Sequence, residues 1–503
     1  MPLTEVCTRC ILGMNAIPVT IEIDISQGLP GFILIGLSDS TSRGIKARVR
    51  SAVLNSGYHF PARKITLNLT PNLHLSDTNS YDLPIAVGIL IASGQVQFIC
   101  HEHVEFYAGL SLDGSLTSCK GAISAILAAS NVERQIIVAK QLYSPDLIFA
   151  TDTVHYAENL RQVCCYLQGE LMLTTDELVK SMDCSKPQTI DIQTIVGQHH
   201  AKRALEVAAA GGHSLLMVGP PGTGKTTLAR CLPSLLPDLT PEETIAIAQV
   251  ENLSTRYLAQ PLVRPFRSPH PSITMAGLIG STRPESPGEV TLAHRGILFL
   301  DELLEFDKKT LDALRTPLEQ GYVLLSRANV QINYPARFQL VAATNLPYYY
   351  AQPEFKVKNT RNVLGKNAEI LSAALIDRFQ LTVEVSTPVS GSTSHDCESS
   401  KTVKARVCSA RARQIRRQGK ENTLLSANEV NQHCQLLAED QKWLENCLRQ
   451  LSLSHRALHH ILRVARTITD LNGEIKITRV ALQEALSYRY ADRIVKNLIQ
   501  MYE

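Results

Sequence analysis

The run Gly219-Pro220-Pro221-Gly222-Thr223-Gly224-Lys225-Thr226 satisfies the pattern G-x-x-x-x-G-K-[ST] in full, and the chemistry of that pattern is phosphate binding. Glycines at 219, 222 and 224 let the backbone turn tightly and aim amide N–H groups at phosphate oxygens, with the positive end of a following helix behind them. Lys225 is expected to reach the β- and γ-phosphates and Thr226 a Mg2+ ion, with Thr227 beside them. ATP is therefore the expected ligand. A complete match between an apolar run and a helix-forming run disfavours an ordinary glycine-rich turn.

Two later stretches fit the same chemistry. Ile297-Leu298-Phe299-Leu300 is an apolar run that delivers Asp301 and Glu302 at its end. Asp301 is expected in the Mg2+ shell, and Glu302 is expected to orient or polarise the attacking water. Such a pair is common by itself; its position after a complete phosphate loop gives it weight. The apolar run Phe338–Thr344 ends at Asn345, whose amide can bond the γ-phosphate or the water, although Asn is also a frequent strand-end turn residue.

These residues need strands and helices to hold them. Leu215–Val218 suits a buried parallel strand, and Thr226–Arg230 can continue as a helix. Ala201–Ala210 reads as a helix, and Thr240-Pro241-Glu242-Glu243 as a helix start with a capping box. Tyr322–Ser326 and Val330–Asn333 read as strand halves around Arg327-Ala328-Asn329. Nearer the N-terminus, Ile17, Val19, Ile21, Ile23 and Ile25 alternate with Thr20, Glu22 and Asp24, the mark of a half-buried strand. A strand over Phe32–Leu37, a helix over Ser40–Asn55 and a strand over Ile65–Leu69 follow. Residues 150–195 read as the passage to the next domain.

Bulk properties bound the rest. A chain of 503 residues has room for three or so domains at about 150 residues each. With 44% apolar and 19% charged residues, the composition is neither disordered nor membrane-like. The net charge of +3 is too small to mark a nucleic-acid binder. Lys401–Lys420, however, carries eight basic residues and no acid, with Val403, Val407 and Ala410 as an apolar stripe. Such a helix either attracts phosphates in a salt-dependent way, or is solvated or faces an acidic neighbouring subunit in a ring. Twelve cysteines show no repeated spacing, and Cys7 and Cys10 form a C-x-x-C that no second pair completes, so reduced thiols are expected rather than zinc. No apolar run approaches the roughly 18 to 20 residues of a membrane span, so a cytoplasmic protein without a membrane partner is expected.

Several phrases carry a resemblance. Gly28-Leu29-Pro30-Gly31-Phe32, Tyr81-Asp82-Leu83-Pro84-Ile85-Ala86, Pro265-Phe266-Arg267-Ser268-Pro269-His270, Pro287–Gly296 and Pro335–Ala343 together resemble the ComM/YifB family, often labelled magnesium-chelatase-like. The resemblance covers most of the chain. It implies a multidomain α/β protein: a Lon-protease-like α+β domain over 1–172 without proteolysis, a linker over 173–190, an AAA+ P-loop core over 191–392 and a C-terminal helical lid over 393–503. Where Lon-type proteolysis needs a Ser–Lys pair, Ser80 falls near the nucleophile position, Ile123 at the lysine position and Lys120 out of register.

The resemblance also implies roles. Arg378, within Leu375-Ile376-Asp377-Arg378-Phe379, matches an arginine finger for a neighbouring subunit, a salt bridge to Asp377 or another acid being the bland use. Asn345 matches sensor 1, and Arg456, within Ser454-His455-Arg456, matches sensor 2, which would contact the γ-phosphate. A finger acting in trans implies a closed ring, here six copies. The hairpin around Arg327 resembles a pore hairpin that would face DNA. Gly280-Ser281-Thr282, His270-Pro271 and Leu346–Ser372 depart from the family's wording. The expected activity is ATP hydrolysis driving branch migration of DNA, branched or single-stranded, during integration of incoming DNA. A chelatase-type motor remodelling a protein partner and an ATP-dependent protease are the alternatives.

Overall fold

A computed structural model describes residues 3–71, 78–97, 104–142, 147, 153–175, 190–255, 262–282, 285–327, 330–345, 373–386, 398–451 and 453–489. The departing stretch Leu346–Ser372 and the hairpin residues Ala328 and Asn329 lie outside the described residues.

The N-terminal unit is built on a seven-stranded mixed sheet. Strands β1 (Thr4–Leu12) and β2 (Asn15–Ser26) pair antiparallel around Gly13, and Val19, Ile21, Ile23 and Ile25 of β2 are all buried, as their alternation predicts. After β3 (Gly31–Ile35), Ser38 caps helix α1 (Asp39–Asn55), accepting a bond from the Thr41 amide. The helix buries Ile45, Val49, Ala52 and Val53, its apolar stripe. Strand β4 (Lys64–Thr70) leads to α2 (Asp82–Ala92), which is apolar on every side and almost wholly buried. Then come β5 (Val104–Tyr107), α3 (Ala122–Ser130), β6 (Gln135–Ala139), β7 (Val154–Ala157) and α4 (Leu160–Leu167). The strand order is β3-β4-β2-β1-β5-β6-β7. Both faces are covered: Ile137 and Ala139 of β6 join the core with α1, α2 and α4, while Ile136 and Val138 join α3.

Part of the passage over 150–195 is thus structured, since β7 completes the sheet and α4 packs on it. A buried four-residue strand such as Val-His-Tyr-Ala carries no period for the eye to find.

The central unit has helix α5 (His199–Gly211), β8 (Leu215–Gly219), α6 (Lys225–Leu235) and α7 (Pro241–Ser254), the last with the predicted capping box between Thr240 and Glu243. It continues through β9 (Phe266–Arg267), β10 (Ile297–Leu300), the short helix α8 (Arg315–Gln320), the hairpin β11 (Tyr322–Arg327) and β12 (Val330–Pro335), then β13 (Gln339–Asn345) and β14 (Leu381–Glu384). Its sheet is parallel throughout, in the order β9-β10-β13-β8-β14. Parallel sheets are buried on both faces, which is why these strands read as unbroken apolar runs. Leu215 and Met217 pack with α5 and α6, and Leu216 and Val218 face the opposite core.

Helices α9 (Ser400–Gln418), α10 (Ala427–His433), α11 (Ala438–Gln450), α12 (His455–Asn472) and α13 (Arg479–Ser487) follow. Basic α9 is bound inside the chain. Arg406 meets Glu206 at 2.6 Å, Lys404 meets Asp238 at 2.8 Å, and Arg417 forks onto the buried Asp470 at 2.7 and 2.9 Å. Arg411 pairs with Glu421, and Lys420 with Glu429 at 2.7 Å. Acids of the same chain thus hold five of the eight basic residues of this stretch, a use that neither reading named.

The N-terminal unit sits on the central one. Asn252 of α7 accepts the Ile123 amide at 3.1 Å, and Gln249 donates to Ser124 Oγ at 2.9 Å. Glu285 Oε1 accepts both the Gly13 amide, at 2.9 Å, and the Tyr334 hydroxyl, at 3.1 Å.

Candidate functional site

Strand β8 ends where the backbone has no room for a side chain. A Cβ at Gly219 would lie 2.2 Å from the Val385 carbonyl oxygen, so only glycine lets the loop leave the sheet here. Gly222 and Gly224 adopt φ of +78° and +87°, the left-handed region, and Gly224 is the cap from which α6 starts. A Cβ at either would meet nothing within 4 Å, so this side of the loop faces open space.

Lys225 is buried, and its ammonium donates to the carbonyls of Gly219 at 2.9 Å and Pro220 at 2.7 Å and to Thr223 Oγ1 at 3.4 Å. Burial lowers its pKa, against the opposing pull of Asp301. Thr226 Oγ1 donates to Asp301 Oδ2 at 2.7 Å, and the Glu302 amide donates to Asp301 Oδ1 at 3.0 Å. Asp301 is thereby held at both oxygens. Glu302 itself is exposed and has φ of +51°, an uncommon backbone for a residue with a Cβ.

Sheet register brings the third candidate alongside. Gly219 is the partner of Asn345 across β8 and β13, and Leu300, just before Asp301, is the partner of Ala342. The loop, the two acids and Asn345 therefore share the C-terminal edge of a parallel sheet, the edge where α/β sheets bind ligands. A buried ammonium, a helix N-terminus opening to free space and a hydroxyl beside a carboxylate fit a phosphate chain with a divalent cation.

Arg378 and Arg456 lie elsewhere. Arg378 stands three residues before β14, whose first residue, Leu381, pairs with Leu215 at the start of β8. The phosphate loop begins four strand steps further on, about 13 Å at ~3.3 Å per residue, so Arg378 is at the opposite edge of the sheet. Its guanidinium donates to Glu319 Oε1 at 2.5 Å, and Arg456 donates to the same oxygen at 3.1 Å. Burial, then the neighbouring Arg456, lower the pKa of Arg378, while Glu319 opposes them. Glu319 was not singled out in the sequence; a lone acid on a short helix gives no signal.

In the N-terminal unit, Ser80 is buried in a single turn, Ile123 is fully buried on α3, and Lys120 is exposed. The neighbour of Ser80 with a clear role is Asp82, whose carboxylate is gripped by Arg48 at 2.6 and 2.9 Å.

Family models agree with this layout. Magnesium chelatase, subunit ChlI, matches residues 191–393; a second, subunit ChlI of Mg-chelatase, matches 21–142; and the ChlI C-terminal model matches 397–489. Among curated relatives, YifB of Escherichia coli is 44% identical over 505 residues, covering 99% of each chain. Competence protein ComM of Haemophilus influenzae is 43% identical over 515 residues, covering all of both. The magnesium-chelatase 38 kDa subunit of Cereibacter sphaeroides is 29% identical over 217 residues, 39% of this chain and 58% of that one. Matched end to end by ComM and YifB at this level, and carrying the phosphate loop and its acidic pair on one sheet edge, this chain belongs to the ComM/YifB family.

Proposed function

We propose that the chain is an ATP-hydrolysing ring motor that moves DNA branches. The observation that carries the ATPase part is the bond from Thr226 to Asp301, which joins the phosphate loop to the acidic strand end. ATP bound with Mg2+ would supply the phosphoanhydride whose hydrolysis drives the motor. Lys225 and the amides of residues 219–226 would hold the phosphates, and Thr226 and Asp301 would hold the metal. Glu302, exposed at the sheet edge, would orient the attacking water, and Asn345 would bond it or the γ-phosphate.

Because Arg378 and Arg456 gather at the far edge of the sheet, their service would be to a neighbouring subunit's site rather than their own. That arrangement supports a closed head-to-tail ring, with six copies as the family suggests. The roles of residues 1–172 as a non-proteolytic Lon-like domain and of 393–503 as a lid belong to the same reading. Among the described residues, no helix is long and apolar enough to cross a membrane, and a cytoplasmic site of action is part of the proposal.

The DNA substrate is what the family resemblance implies, and one full-length relative is named competence protein ComM. The chelatase-type alternative draws support from the matching family models, which describe magnesium chelatase. ATPase assays with forked, single-stranded and four-way DNA separate the two. Stimulation by branched DNA, with movement of the branch, is expected; a rate indifferent to every DNA would sink the helicase reading.

A further inference from the structure

We infer that Glu319 is a positioning residue that holds Arg378 and Arg456 as one unit for use in a neighbouring subunit's nucleotide site, an inference that rests on the ring reading above. A single oxygen, Glu319 Oε1, accepts from Arg378 Nη2 at 2.5 Å and from Arg456 Nη2 at 3.1 Å. The three residues come from three elements distant in the chain: α8, the turn before β14 and the first turn of α12. Folding alone brings them together.

Two guanidiniums repel, and a third, Arg315, adds to the repulsion felt by Arg378 although it is itself paired with Asp312 at 2.8 Å. The Glu319 carboxylate is the counter-charge between the first two. The Arg378 side chain is 10% exposed, whereas those of Glu319 and Arg456 are 50% and 42% exposed. The cluster is therefore anchored on its inner side and open on its outer side. The two arginines share the Glu319 carboxylate, Asp377 acts on Arg378 more weakly, and the guanidiniums still offer N–H donors that suit a polyphosphate presented from outside. Long arginine side chains lose considerable rotamer freedom when fixed, and a shared anchor meets that cost before the phosphate arrives.

The position of the cluster decides which phosphate it meets. It lies at the sheet edge opposite the chain's own phosphate loop, so a head-to-tail neighbour is the source of the nucleotide. Coupling also follows: because one atom binds both arginines, the finger and the α12 arginine move together or not at all.

Glu319→Gln removes the charge and keeps the shape, and Glu319→Ala removes both. In the full-length ring, each is expected to lower kcat for ATP hydrolysis by up to roughly 100-fold, the scale of a misplaced catalytic group. Binding of a fluorescent ATP analogue with Mg2+ should stay as in the parent, because the loop at Lys225 is untouched. Glu319→Asp should retain more activity than either. The decisive measurement mixes Glu319→Gln subunits with Lys225→Ala subunits, whose own ATP binding is weakened but whose arginine pair is intact. Activity should return in the mixed rings, as it should for Arg378→Ala mixed with Lys225→Ala. Unchanged kcat in Glu319→Gln and Glu319→Ala would overturn the inference. So would lost ATP binding, or an inactive Glu319→Gln mixture beside a recovering Arg378→Ala mixture, since each makes Glu319 a local structural residue. An inactive Arg378→Ala mixture would instead remove the ring reading itself, and this inference with it.

Discussion

Thr226 Oγ1 donates to Asp301 Oδ2 across 2.7 Å, joining the first turn of α6 to the end of β10 although 75 residues separate them. The bond places a hydroxyl and a carboxylate where one divalent cation can bind both. Thr226→Ala and Asp301→Asn should each weaken the dependence of nucleotide binding on Mg2+, read by titrating the metal at fixed nucleotide. Equal Mg2+ dependence in both variants and the parent would remove the pair from the metal site.

Lys225 tests the loop itself. Its ammonium is buried among carbonyls, and a charged hydrogen bond contributes about 1.5–3 kcal/mol, so Lys225→Ala should weaken ATP binding roughly tenfold or more. Equilibrium binding of a fluorescent nucleotide checks this. Unchanged affinity would refute the assignment.

Glu302 should separate binding from chemistry. Glu302→Gln is expected to bind ATP as the parent does and to hydrolyse it some 10²- to 10⁴-fold more slowly, the range for loss of a general base. A single-turnover assay reads the step directly, and normal turnover would take Glu302 out of the mechanism.

Gly219 makes a stability prediction. Gly219→Ala drives a methyl against the Val385 carbonyl, 2.2 Å away before relaxation, and the Val385 amide is itself tied to the Val218 carbonyl at 2.8 Å. Overpacking of this kind costs typically ~1–3 kcal/mol. Urea unfolding should show that loss, whereas a parent-like midpoint would mean that β8 and the chain after β14 separate freely.

Buried histidines set the acid limit. Burial, then Arg463 and Arg411, push His213 down from 6.5 to about 3; burial, then Arg295 and Arg337, push His294 down to about 4. Each is neutral in the folded chain and becomes protonated on unfolding once the pH drops below 6.5. The unfolded state then binds more protons, so stability falls as pH falls from about 6.5 towards 4, by roughly 1.4 kcal/mol per pH unit for each histidine. Urea midpoints between pH 7 and 5 check the slope. A flat profile would mean that both imidazoles are charged in the fold.

Much of this was legible along the chain. The phosphate loop, Asp301, Glu302 and Asn345 each follow an apolar strand, and in a parallel sheet every strand ends at the same edge, so their order in sequence already implied their meeting in space. The helix cap at Thr240 was legible because a cap is a contact between residues three apart. The tertiary structure alone decided matters that depend on distant partners. Lys401–Lys420 has no acid of its own, and only folding brings Glu206, Asp238 and Asp470 to it. Asn252 and Glu285 fasten the N-terminal unit to the central one through backbone amides that have no sequence signature. Arg378 and Arg456 each matched a motif, but their common hold on Glu319 and their distance from the chain's own loop arise from strand register. Motif chemistry is local and survives as spacing, whereas charge pairing acts through space and depends on the whole fold.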